Sequence, residues 1–194
     1  MPGSRHASQS EDTKRRLMNA TRELVVAKGW SAASSRAIAE RAGVNHALIN
    51  FHFKGKTGLF RATLDRCVDQ IEKQFGPWMA ASSFSAYIDT CVESIPKVRQ
   101  NSNFQFLLAA MLEGAHDAGI KAAVIDQTNA FRNGLRVFLT GQGLPEKDVE
   151  RYATIMAAAM DGLMIHFMLD PSTDAEGALR AFEEMIDLVV RTSG

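Results

Sequence analysis

The sequence predicts an all-α chain of about nine helices, with a small N-terminal head and a larger C-terminal body, on three observations. Apolar residues recur at helical spacing along nearly the whole length, and no segment sustains the period-two alternation of a strand. The 194 residues are 46% apolar with 11 Phe, enough to bury a core and too apolar for intrinsic disorder. The charge is also divided. Residues 1–56 carry ten Lys/Arg against four Asp/Glu, a net +6, while 57–194 carry −6, so the overall net charge is zero. A basic head on an acidic body suggests two jobs, one of them facing a polyanion.

The first helix is expected to open at Ser10, an N-cap followed by Glu11 and Asp12, after a disordered tail over residues 1–9. Leu17, Ala20, Leu24 and Val25 form its inward stripe and Gly29 ends it. Ser34 caps a short helix with Ile38, Ala39 and Ala42 on its buried side. Gly43 supplies the positive φ of a tight turn. Asn45 caps a second short helix from His46 to about Phe53, anchored by Val44, Ile49 and Phe53. Two short helices crossing steeply at Ala39 and joined through a glycine turn make a helix-turn-helix, whose second helix fits the major groove of DNA.

The body follows in six helical patterns. Lys56 to about Phe75 carries Phe60, Leu64, Cys67, Val68 and Ile71 on one face and is stopped by Gly76-Pro77. Patterns over 83–99, 102–113 and about 120–139 come next, with Pro96 expected to kink or end the first of them. Pro145 suits the first turn of a long helix reaching Leu169, and Thr173 with Glu176 reads as a capping box for the last helix. These last two helices are apolar over much of their circumference. That suggests a self-complementary interface, a four-helix bundle of two helices per subunit, with Tyr152, Met156, Ala157, Leu163, Phe182, Met185, Ile186 and Val189 as its candidates.

Other classes have little support. The most apolar stretch, Tyr152 to Leu169, is interrupted by Asp161 and His166, so no membrane partner is expected. The first dozen residues are polar and Ser-rich, without a secretory signal. Cys67 and Cys91 form no metal motif and read as reduced thiols of a cytoplasmic protein; neither metal nor cofactor is expected. Glu113 and His116 make a single Glu-x-x-His, where a di-iron site needs two, and no hydrolase or phosphate-loop motif occurs.

The run Ile38-Ala39-Glu40-Arg41-Ala42-Gly43-Val44-Asn45, then Leu48-Ile49-Asn50-Phe51-His52-Phe53, then Lys54-Gly55-Lys56-Thr57-Gly58-Leu59, resembles the signature of the TetR-type transcriptional repressors. The match spans about Thr13 to Arg66; the remainder agrees in layout. The resemblance implies a three-helix DNA-binding domain over 10–55 and a ligand-binding and dimerisation domain over 56–194. It implies a homodimer on a double-stranded, pseudo-palindromic operator, released by a small-molecule effector of unspecified class. On this resemblance His46 and Ala47 meet base edges, and Arg36 meets guanine or phosphate. Ser34, Ser35, Asn45, Asn50, His52 and Lys56 approach the backbone, and Phe51 touches sugar. For the effector, aromatic, Met and buried polar candidates are Phe104, Gln105, Met111, His116, Gln127, Phe131, Met160, Met164 and Phe167. The competing reading is a helical, dimeric small-molecule-binding protein or enzyme without specific operator binding.

Overall fold

The computed structural model describes residues 3–75 and 81–193, so the expected Gly76-Pro77 stop lies outside the described residues. Nine α-helices follow in order: α1 Gly3–Lys28, α2 Ser35–Ala42, α3 Ala47–Phe53, α4 Lys56–Phe75, α5 Phe84–Arg99, α6 Ser102–Glu113, α7 Ala118–Gly141, α8 Glu146–Leu169 and α9 Ala175–Ser193. A 3-10 turn, Trp30–Ala32, separates α1 from α2. The described residues contain no strand.

Helix ends account for most departures from expectation. α1 begins at Gly3, not Ser10, so residues 3–9 are helical rather than a disordered tail. Thr13 donates its hydroxyl to the Gln9 carbonyl at 2.9 Å, and Lys14 pairs with Glu11 at 2.8 Å, local bonds that run the helix through the expected cap. At α9 the cap is Asp174, whose Oδ1 accepts the Gly177 N–H at 2.9 Å; Thr173 stands outside the helix and the expected capping box is not made. Pro145 is the N-cap of α8 rather than its first helical residue. The α5 cap is Ser83, accepting from Ala86 N–H at 3.2 Å, and α5 continues through Pro96 to Arg99.

The chain packs as two compact units. One comprises the residues up to Ile71 together with Ser102–Ile125; the other comprises Glu72–Asn101 and the residues from Asp126 onward. The chain passes between them within α4, ahead of α6 and within α7. The first unit thus holds the head together with most of α4, all of α6 and the start of α7, more than the 10–55 span of the sequence motif. Its core joins Leu17 of α1, Ile38 of α2, Ile49 of α3, Leu59 and Leu64 of α4 and Phe106 of α6. Trp30 lies against this core, 4.5 Å from the Phe60 ring and 5.7 Å from that of Phe106.

The second unit is built on Tyr87, Ile88, Leu135, Leu139, Met156 and Leu179, with Phe84 5.9 Å from Phe182 and 6.3 Å from Phe138. Arg99 closes the end of α8, its Nε donating to the Phe167 carbonyl at 2.7 Å. Met156, Ala157, Phe182 and Ile186, expected between subunits, are instead buried in this core, because both helices are apolar on more than one side and these residues fall on the side turned to their own protomer. Tyr152, Leu163 and Val189 are half-buried and Met185 is exposed. Despite Asp161 and His166, α8 is the one described helix long and apolar enough to cross a membrane, by length and composition alone; Val149, Ala153, Met156, Ala157 and Phe167 on it are buried in the core.

Candidate nucleic-acid interface

The head positions a short exposed helix by three local devices. Ser34 lies in extended conformation and its Oγ accepts the Ala37 N–H at 3.2 Å, starting α2. At the other end Gly43 adopts φ 63°, ψ 40°, and the Val44 N–H returns to the Ala39 carbonyl at 3.0 Å. This left-handed reversal is what a side chain would strain. Asn45 Oδ1 accepts the Ala47 N–H at 2.9 Å, so Asn45 braces the entry to α3, although His46 is the N-cap position. A fourth device was not legible in the sequence. Arg16 of α1 donates through Nη2 to the carbonyls of Ala42, at 2.5 Å, and Gly43, at 3.2 Å. A cation thereby satisfies the last carbonyls of α2.

These contacts bury Ile49 and half-bury Leu48, His52 and Phe53, leaving His46, Ala47, Asn50 and Phe51 on one exposed face of α3. Phe51 is 78% exposed, a large apolar ring with no protein to cover it. Beside this face stand Arg36 and Asn45, both exposed, and Ser34, while Ser35 and Lys56 are half-buried. Lys54 is exposed too, at φ 59° in the C-cap of α3, and is not among the residues that the resemblance brings to DNA. Lys56 Nζ lies over the Phe60 ring, 5.1 Å from its centroid, a cation–π contact that holds the half-buried side chain in place.

The ion pairs separate this face from the rest of the head. Arg41 pairs with Glu23 at 2.6 Å, Lys14 with Glu11, and Arg15 with Asp12. Arg36, Lys54 and Lys56 have no carboxylate partner among the described residues. Arg36, Lys54 and Lys56 thus keep uncompensated charge beside α3, as a phosphate-binding surface requires.

Two family models match the chain. "Bacterial regulatory proteins, tetR family" matches residues 17–63, and "BetI-type transcriptional repressor, C-terminal" matches residues 85–191, over half the chain. The chain belongs to the TetR family. It is a DNA-binding transcriptional regulator of that family, with a BetI-type C-terminal region. SrpR of Pseudomonas putida is 29% identical to this TetR-family chain over 115 residues, 59% of the chain; the chain thus spans about half of SrpR, 53% of its length. BetI of Vibrio campbellii is 26% identical over 183 residues, covering 91% of the chain and 92% of BetI. Among solved structures, a putative transcriptional regulator from Pseudomonas aeruginosa shares the fold with a TM-score of 0.78 at 22% identity, over 92% of this chain and 90% of that one. A putative transcriptional regulator from Saccharomonospora viridis in complex with choline has a TM-score of 0.68 at 17% identity, over 91% and 96%.

The effector candidates of this TetR-family chain fall in both units. Phe104, Gln105, Met111 and His116 lie in the first, with Phe104 buried and His116 exposed beyond the end of α6. Gln127, Phe131, Met160, Met164 and Phe167 lie in the second, with Phe167 in the core and Phe131 and Met160 packed against it. A shallow cavity of about 200 Å³ in the second unit is lined instead by Ser83, Phe84, Phe138, Gln142, Ile186 and Asp187. Asp161 of α8 stands out chemically. Burial raises its carboxyl above the usual aspartate range, it has no ion-pair partner among the described residues, and it acts electrostatically on the buried Tyr87.

Proposed function

We propose that this regulator is a cytoplasmic homodimeric repressor, not an enzyme, whose two α3 helices enter successive major grooves of a pseudo-palindromic operator. The observation that carries the reading is the α3 face. His46, Ala47, Asn50 and Phe51 are exposed together, rimmed by Arg36, Lys54 and Lys56 without carboxylate partners. Hydrogen-bonding His46 and Asn50 suit base edges or phosphate, Ala47 suits a thymine methyl, and Phe51 packs on sugar or methyl groups. Ser34, Ser35, Asn45, His52 and Lys56 take positions along the backbone.

The dimer face is the exposed stripe on α8 and α9. Ile155, Ala158 and Leu169 share one side of α8, and Gly162 between them leaves open space where a side chain would stand. Met185 and Leu188 are exposed on α9. Tyr152, Leu163 and Val189 flank this stripe and complete the proposed interface. Small residues let a second copy's helix approach closely, and the flanking apolar side chains give it something to bury.

The proposed effector is a small organic cation. A half-buried aspartate without a cationic partner, whose charge is felt at the buried Tyr87, is the environment such a group seeks. The Saccharomonospora viridis regulator with choline has the same fold. Binding favours a protomer geometry with lower operator affinity, by as much as the effector distinguishes the two states.

A gel-shift series at several salt concentrations tests the operator reading. One palindromic duplex, selected from a random pool, is expected to bind about a thousandfold tighter than random duplex at physiological salt. Equal affinity for both would contradict operator recognition and favour the reading as a binding protein without an operator.

A further inference from the structure

Arg22 of α1 and Arg66 of α4 form a second cationic cluster, inside the first unit. Arg22 Nη1 donates to Asn103 Oδ1 of α6 at 2.6 Å and reaches Gln70 Oε1 of α4 at 3.3 Å. Arg66 and Gln70 are one turn apart on the same face of α4. Burial pushes the Cys67 thiol, next to Arg66 on α4, up to about 11, while the Arg22 and Arg66 charges pull the other way, so both cations lie near that stretch of α4. Both side chains are half-buried, and the Nε of each is fully buried without an acceptor. Neither has a carboxylate within ion-pair distance among the described residues.

The other half-buried arginines differ. Arg99 ends on backbone carbonyls, Arg132 on Asn129 and Glu150, and Arg180 on Asp89 and Glu183. Arg22 and Arg66 each keep a buried Nε that no acceptor meets and lack a carboxylate partner among the described residues, and an anion would supply both the charge and the acceptors. We propose that the Arg22–Arg66–Gln70–Asn103 cluster is a binding site for a small oxyanion, the carboxylate or phosphate group of a ligand seated between α1, α4 and α6. In this proposal the guanidiniums of Arg22 and Arg66 grip the oxygens, beside Gln70, which already accepts from Arg22. This site is distinct from the α3 face and from Asp161, and it does not depend on the operator reading.

The test is thermal unfolding of the full chain with sodium benzoate or inorganic phosphate, each against sodium chloride at equal ionic strength. At about 10 mM, at least one of the two is expected to raise Tm by about 3 °C over chloride. A benzoate response assigns the site to carboxylates, a phosphate response to phosphoryl groups, and a response to both to either. Arg66→Gln is expected to remove most of that shift and, because Arg66 has no hydrogen-bond partner among the described residues, to melt no lower than wild type without added anion. Arg22→Gln should remove the shift as well, while Arg36→Ala, on the exposed DNA face, should keep it. The proposal is overturned if neither anion exceeds chloride, if Arg66→Gln keeps the full shift, or if Arg36→Ala abolishes it.

Discussion

Arg16 and Ala42 are joined by a hydrogen bond of 2.5 Å, from a guanidinium on the first helix to a carbonyl at the end of the second. The same Nη2 reaches the Gly43 carbonyl at 3.2 Å, so one side chain clamps the turn whose direction sets where α3 points. The clamp links the long helix α1 to the turn that leads into α3 without touching the exposed face, which makes Arg16 a positioning residue.

Arg16→Ala is expected to lower stability by about 1.5–3 kcal/mol, the range for a hydrogen bond to a charged group. It should also weaken selected and random duplexes unequally, the selected one more, because a misaimed α3 loses base contacts before phosphate contacts. Urea unfolding and competitive gel shifts measure the two effects. A normal specificity ratio in a destabilised variant would reduce Arg16 to a purely structural role.

Phe51→Ala separates folding from binding. The ring is 78% exposed and packs only edge-on against His52, at 4.9 Å between centroids, so its loss should leave Tm within about 2 °C. Operator affinity should fall about tenfold, measured by fluorescence anisotropy at fixed salt. Unchanged affinity would place the DNA elsewhere.

Lys54→Gln and Lys56→Gln should each weaken all duplexes alike and lower the slope of log affinity against log salt by about one. Arg41→Gln, whose partner is Glu23, should leave the slope unchanged. Equal slopes in all three variants would remove the distinction drawn from the ion pairs.

Asp161→Asn should raise Tm at pH 7. Burial holds the Asp161 carboxyl above its ordinary range, so the folded state takes up a proton before the unfolded one does. Wild-type stability therefore grows as pH falls through that raised value and is complete below the ordinary aspartate value of about 4. The advantage of the variant should shrink across the same window in melts from pH 7 to pH 4. A constant difference would mean that the Asp161 carboxyl titrates alike in the folded and unfolded chain.

Local signals were readable where local chemistry decides the outcome. Ser34 and Gly43 bound α2 through bonds made within a few residues, and both could be placed from sequence. Asp174 outcompeted Thr173 because either can cap, and only the packing of α9 chooses between adjacent candidates. The four interface candidates that proved to be core failed for a different reason. α8 is apolar on more than one side, and periodicity does not tell which side meets its own protomer. Arg16, and the pairing of Arg22 with Asn103 across 81 positions, arise only when distant helices meet. No local pattern announces them.

Hydrogen exchange of the full chain, with and without the tightest duplex selected from a random-sequence pool, tests the central claim most directly. Slowed exchange over residues 34–56, centred on α3, with Phe51→Ala abolishing it, is the result expected of a DNA-reading face. Protection confined to the second unit, or no duplex enriched from the pool at low salt, would contradict it.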